Sequence, residues 1–183
     1  MYSVDHILRI VATELPAVGV EALLIGGFAV NHYGYSRNTL DIDFMVKEGD
    51  QRAVREVMTR NGFVNRSETD NVVFYGHPGG GLRVDFLSVD VATFDKLMQN
   101  AETVLVGESR LRVPSLRDLL AMKVFALAQS ASARWDKDLP DIAYLCVLND
   151  LSLNDDVRPL CEQYGNEAIF KEIGRRMDRI LHE

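Results

Sequence analysis

Leu24–Val46, LIGGFAVNHYGYSRNTLDIDFMV, is the stretch from which the fold is read. Leu23 to Ile25 reads as a short buried strand that turns at Gly26-Gly27. Phe28 to Tyr33 then reads as a short helix closed by Gly34, and Asp41 to Val46 as a second strand. Side chains alternate on a strand, so Asp41 and Asp43 share one face while Ile42 and Phe44 take the other and can pack against helices. Two carboxylates held side by side repel, and without a counter-charge at least one pKa should rise. Hard cations of the magnesium type remove that conflict, because they prefer oxygen ligands.

The same alternation recurs downstream. In LRVDFLSV, Arg83 and Asp85 share one face and Val84 and Phe86 the other. A third carboxylate on a neighbouring strand makes room for two ions about 3.5–4 Å apart, the arrangement that serves in-line phosphoryl displacement. Gly26 and Gly27 fit such a site, because glycine lets backbone amides approach phosphate oxygens closely and the helix start behind them favours anions. Each feature has a plainer reading alone: a solvated strand edge for Asp-x-Asp, a tight turn for Gly-Gly. The weight lies in the combination of Gly-Gly, Asp-x-Asp opening an apolar strand, and a third Asp inside another apolar strand.

Working outward, Val4 to Glu14 has helical periodicity, with Ile7, Leu8, Ile10 and Val11 on one side. GDQRAVREVMTRNG reads as an amphipathic helix with Asp50 as its cap, Val54, Val57 and Met58 inward, and Gly62 beyond its end. Strands around Val72–Tyr75 and Leu82–Val89 flank the turn HPGGG and form a hairpin. A helix follows over Ala92 to Asn100, then short strands near Val104 and Leu111. From Pro114 the pattern is helical: PSLRDLLAMKVFALAQ, with Ser115 and Asp118 as a capping-box start, then segments around Leu139–Leu148, Asn154–Gln163 and Asn166–Leu181. The layout is α/β over residues 1–113 and all-α over 114–183.

The chain has 183 residues, 47% hydrophobic and 26% charged, which suits one globular core with a helical extension rather than a disordered segment. A net charge of -7 excludes a general nucleic-acid coat. The most cationic stretch, Leu105 to Lys137, carries Arg110, Arg112, Arg117, Lys123, Arg134 and Lys137 against Glu108, Asp118 and Asp136. Cys146 and Cys161 sit in helical apolar patterns and read as buried free thiols. His6, His32, His77 and His182 lack metal-ligand spacing, so zinc is not expected. No signal peptide and no membrane-length apolar run is visible, and a cytoplasmic location is expected.

Gly26-Gly27, then Arg37-x-Thr39-x-Asp41-x-Asp43, then Asp85 on a later strand, resembles the DNA polymerase beta-type nucleotidyltransferase superfamily. The resemblance implies an α/β (α+β) fold: a small mixed β-sheet core with helices packed on one face, here followed by the C-terminal helical region packed on the core. It implies two magnesium ions, with manganese as a substitute, held by Asp41, Asp43 and Asp85. Asp85 would also help activate the attacking hydroxyl. Many members have Gly-Ser where this chain has Gly26-Gly27, which leaves backbone amides alone at the triphosphate.

SLRDLLAMKVFALAQSASARWDKDLPDIAYL is similar to the distal motifs of the abortive-infection nucleotidyltransferases, the toxins of type IV toxin–antitoxin pairs. The matching residues are Lys123, Arg134, Asp138 and Asp141. The resemblance implies that Lys123 reaches the triphosphate as a point charge and that Arg134 clamps phosphate with its planar fork. Asp138 and Asp141, three apart on a helix, share a face and orient Lys123 or contact base or ribose. Arg134 pairing with Asp138, and Arg37 facing phosphate or pairing with Asp41, remain open at this level. The expected activity moves a nucleoside monophosphate from a nucleoside triphosphate to an acceptor hydroxyl or phosphate. The acceptor is tRNA for a toxin with a cognate antitoxin protein, or an aminoglycoside- or lincosamide-like antibiotic for a small-molecule enzyme. A non-catalytic nucleotide-binding module is the third reading.

Overall fold

The computed structural model describes residues 3–129 and 134–182. The chain divides into two units. One comprises the residues up to Ala29 together with Asn38–Ser115; the other comprises Val30–Arg37 together with the residues from Leu116 onward.

The first unit holds strands β1 (Leu23–Ile25), β2 (Asp41–Lys47), β3 (Val64–Glu68), β4 (Val72–Gly76), β5 (Arg83–Val89), β6 (Glu102–Val106) and β7 (Ser109–Val113). They form a seven-stranded sheet in the order β3-β4-β5-β2-β1-β7-β6. It is mixed: β2 and β5 run parallel, as do β1 and β7, and the remaining neighbours are antiparallel. The parallel β2–β5 pair is possible because a long crossover separates them, containing helix α4 (Gln51–Arg60) and the β3–β4 hairpin.

Alternation on β2 decides what is buried. Ile42, Phe44 and Val46 are fully covered, and Phe86 lies opposite Phe44 with the ring centroids 5.5 Å apart. Ile7, Leu8 and Leu15 of the N-terminal helix and Val54, Val57 and Met58 of α4 join the same core. Each such side chain contributes about 1.5–3 kcal/mol by leaving water. The first helix runs further than its periodicity indicates. α1 (Val4–Arg9) continues through a π turn at Ile10–Glu14 into α2 (Leu15–Ala17). Asp50 is no side-chain cap. It ends a 3-10 turn, Glu48–Asp50, and its backbone is already helical, so its carboxylate caps no amide there. α5 (Val91–Asn100) instead starts on a working cap, with Asp90 Oδ1 accepting from Thr93 N at 2.9 Å.

β3 has no counterpart in the sequence pattern. Its residues, VNRSE, are all exposed, so no hydrophobic alternation marks it, and its pairing with β4 carries a bulge between Asn65 and Ser67.

α3 (Gly26–His32) begins in the first unit and ends in the second. The second unit continues with α6 (Leu116–Gln129), α7 (Trp135–Leu148), α8 (Arg158–Tyr164) and α9 (Glu167–His182). α6 buries Leu119, Leu120, Lys123, Val124 and Leu127, a helical stripe with a lysine in its middle. α7 begins at Trp135, earlier than its apolar pattern starts, and contains Pro140. Its interior stripe includes Asp138, Leu139, Asp141, Ile142, Leu145 and Cys146. Cys146 and Cys161 are buried free thiols, as their apolar neighbours require. Among the described residues no helix is long and apolar enough to cross a membrane.

Candidate active site

Strand register assembles the first cluster. In the parallel β2–β5 ladder Asp41 lies opposite Arg83 and Asp43 opposite Asp85; in the antiparallel β1–β2 ladder Asp43 lies opposite Ile25. One carboxylate oxygen from each of Asp41, Asp43 and Asp85 falls within 4.8 Å of the others. The three acids differ in cover: Asp85 is buried, while Asp41 and Asp43 are half-buried.

Gly26, one residue beyond Ile25, packs against this cluster. Its φ is +62°, a left-handed conformation that glycine adopts without strain. A Cβ there would overlap Asp43 Oδ2 outright and lie 2.6 Å from Asp43 Cγ. Gly26 is therefore required twice, for its backbone angle and for the space the carboxylate fills. Gly27 follows in the first turn of α3 and is buried. Thr39 fixes Asp41 from the other side, its hydroxyl donating to Asp41 Oδ1 at 2.8 Å.

Arg83 stands among the acids. Its Nε donates to Asp85 Oδ1 at 2.7 Å, and its Nη2 donates to Asp85 Oδ2 at 2.7 Å and to Asp41 Oδ2 at 3.0 Å. The hydrogen bond to Asp85, with added attraction from Asp85, Asp41 and Asp43, raises the Arg83 pKa although partial burial opposes it. Alternation puts Arg83 on the face of Asp85, but the sequence assigned it no part in the site. The signal was available: Arg-x-Asp on β5 has the same spacing as Asp-x-Asp on β2.

The donor set suits a hard divalent cation. All three groups are carboxylates, their oxygens converge, and the missing Cβ of Gly26 gives the Asp43 carboxylate its room. A guanidinium already bridges two of the three acids, so the cluster is one that collects positive charge.

A second cluster lies in the second unit and collects the other sequence-selected residues. Lys123 Nζ donates to Asp138 Oδ1 at 2.8 Å and to Asp141 Oδ2 at 2.7 Å. Arg37 grips Asp141 as a fork, Nε to Oδ1 at 2.7 Å and Nη2 to Oδ2 at 2.9 Å. Burial works against the Arg37 charge, but the Asp141 hydrogen bond and the attraction of Asp141 and Asp138 outweigh it and raise its pKa. The loop bearing Arg37 is stapled by Asn31, which accepts from Arg37 N at 3.0 Å and donates to Arg37 O at 3.1 Å. Asp138 Oδ2 is buried with no hydrogen bond among the described residues; Arg134 Nη1 approaches it at 3.5 Å. Tyr35 and Tyr144 stack with ring centroids 4.2 Å apart and planes nearly parallel, at 8°. Burial, followed by the proximity of Tyr144 and Asp141, raises the Tyr35 pKa.

A mixed sheet with Asp-x-Asp on one strand and a third aspartate opposite it is the arrangement that the resemblance to polymerase beta-type nucleotidyltransferases implies. The chain matches the family of the nucleotidyl transferase AbiEii toxin of type IV toxin–antitoxin systems over residues 9–182, and it belongs to that family. Among solved structures it resembles the antibiotic-resistance factor ANT(2'')-Ia, at 12% identity and a TM-score of 0.62, covering 96% of this chain and 95% of that one. It also resembles an antigenic nucleotidyltransferase-like protein from Paracoccidioides brasiliensis, at 17% identity and a TM-score of 0.56 over 98% of this chain and 89% of that one. A lincosamide antibiotic adenylyltransferase, LnuA, matches at 14% identity and a TM-score of 0.56 over 78% of this chain and 96% of that one. At such identities these likenesses bear on the fold. No curated protein matches the chain by sequence.

Proposed function

We propose that this nucleotidyltransferase is divalent-metal-dependent and acts as a toxin, transferring a nucleoside monophosphate from a nucleoside triphosphate to tRNA. The observation that carries the metal dependence is the register that sets Asp43 against Asp85 with Asp41 beside them, three acidic groups within ligand distance. The family's description as a type IV toxin supports the toxin role and a cognate antitoxin as partner; the distal motif's likeness to those toxins supports tRNA as acceptor.

In this reading Asp41, Asp43 and Asp85 hold the cations, magnesium or manganese, which when bound would polarise the triphosphate and offset charge on the leaving pyrophosphate. The acceptor oxygen bonds to the α-phosphorus as the bond from that phosphorus to the bridging oxygen breaks, and pyrophosphate leaves. Asp85 helps deprotonate the acceptor hydroxyl. Gly26 and Gly27 offer close backbone approach to phosphate. In the second unit Lys123, Arg37 and Arg134 gather positive charge around Asp138 and Asp141, which hold Lys123 in place. Most of the acceleration then comes from positioning and charge stabilisation rather than covalent chemistry.

The test is incubation of the protein with each labelled nucleoside triphosphate, magnesium and total cellular RNA, in parallel with an aminoglycoside and lincosamide panel. Label in the tRNA band, lost in Asp43→Asn, is expected. Label in an antibiotic product with none in RNA would replace tRNA with a small molecule as acceptor. Metal-dependent transfer retained by Asp43→Asn removes the triad assignment.

A further inference from the structure

The carboxylate face of β2 and β5 holds three acids, and Arg83 lies among them. Its guanidinium engages both oxygens of Asp85 and one of Asp41. It is also held from a third side: its central carbon lies 4.9 Å from the ring centroid of Phe74, which sits opposite Asp85 in the β4–β5 ladder. Planar fork, two carboxylates and an aromatic face make a seat fitted to arginine; a lysine would fill it only as a point charge.

This seat conflicts with metal binding. Asp85 cannot ligate a divalent cation while the guanidinium covers both its oxygens without putting two positive charges side by side, which Coulomb repulsion opposes. The conflict has an exit. The Arg83 side chain is 49% exposed, whereas those of Asp41 and Asp85 are 17% and 7% exposed. Arg83 can rotate into solvent without opening the core, and the acids cannot.

We propose that Arg83 is a built-in counter-ion of the triad: it holds Asp41 and Asp85 together in the metal-free protein, and a divalent cation binds by displacing it. The proposal rests on the triad being the metal site. Arg83 is thus a positioning residue that sets the metal concentration at which the site fills. It prevents three converging carboxylates from repelling one another when metal is scarce, and it weakens metal affinity in return.

The two effects move in opposite directions in one variant, which makes the proposal testable without measuring turnover. The full-length protein is titrated with Mn2+ alone, free ion being read by electron paramagnetic resonance, and thermal unfolding is followed in EDTA and at saturating Mn2+. Arg83→Gln is expected to bind Mn2+ about two- to fivefold more tightly than the parent, the range a part-exposed ion pair supports. Its melting temperature is expected to fall below the parent's in EDTA and to rejoin it at saturating Mn2+. Arg83→Lys, keeping the charge without the fork, should fall between parent and Gln variant. Unchanged or weaker Mn2+ binding by Arg83→Gln overturns the proposal; should that variant not fold, the same result in Arg83→Lys overturns it. Asp43→Asn separates the two layers. If it binds Mn2+ like the parent, the triad is not the metal site and both readings fall. If it loses Mn2+ binding while Arg83→Gln is unchanged, the triad stands and only the role of Arg83 is removed.

Discussion

Replacing Lys123 with Met tests whether the second cluster is a structural necessity. The lysine side chain is 7% exposed and bonds at 2.8 and 2.7 Å to Asp138 and Asp141, themselves 5% and 1% exposed. Methionine fills similar volume but leaves both acids without that ammonium. Asp141 keeps the Arg37 fork. Among the described residues Asp138 keeps Arg134, 3.5 Å away on a side chain 59% exposed, so the loss concentrates on Asp138. Breaking a buried pair from one side costs about 3–5 kcal/mol. For a chain of this length each kcal/mol moves the melting temperature by about 2–4 °C, so the expected fall is about 6–20 °C. The assay is thermal unfolding by circular dichroism, with Lys123→Met, Asp138→Asn and the double variant compared as a cycle. The double variant should recover stability, because neutralising Asp138 removes the stranded charge. A melting temperature for Lys123→Met within about 2 °C of the parent, or no recovery in the double variant, refutes the reasoning. Transfer activity measured well below the melting temperature then reports any direct contact of Lys123 with nucleotide.

Gly26→Ala should cost about 1 kcal/mol or more from the left-handed backbone alone and also push Asp43 aside, so Mn2+ should no longer raise the melting temperature while the far-ultraviolet spectrum stays native. Asn31→Ala removes both staples of the Arg37 loop and should lower stability by about 1–2 kcal/mol, read as a shifted denaturant midpoint at constant slope. Burial pushes the Cys146 thiol up to about 12 and the Cys161 thiol to about 11. The folded chain therefore keeps these protons when the unfolded chain, with thiols near the ordinary value of 9.0, releases them. Their stabilisation is complete below pH 9 and is lost as pH rises towards 11–12, and a thiol reagent at pH 8 should label neither cysteine until denaturant is added.

Legibility in the sequence followed locality. The face shared by Asp41 and Asp43 is a two-residue matter, and alternation on β2 delivers it. The hairpin of β4 and β5 is short-range as well, and its glycine-rich turn marks it. That β2 and β5 are neighbours, and in the one register that sets Asp43 against Asp85, is a pairing across a long crossover that no local pattern carries. β3 was invisible because neither of its faces is buried. The early start of α7 was hidden because its first turn is charged, WDKD, and because Pro140 reads as a helix start rather than an interior residue. Lys123 drew notice as a lysine within an apolar run. What the run cannot tell is that the charge is met by two buried acids from the next helix rather than left open.

The two clusters differ in how their charge is met. In the second unit, Asp138 and Asp141 face Lys123, Arg37 and the more distant Arg134, so the buried negative charge is matched before any ligand arrives. Such a network resists change, because removing a member strands another. In the triad, Asp41 and Asp85 are met from β5 by Arg83, which is half in solvent. Three carboxylates cannot be gathered this closely by packing alone, since packing offers nothing to offset their repulsion. The strand register brings them together, and Arg83 meets part of their charge. A divalent cation suits converging carboxylates better than a guanidinium, having twice the charge and accepting oxygen ligands from several directions at once. The proposed metal dependence rests on the convergence of these three carboxylates, while the network beside the Arg37 loop is held first by its own members.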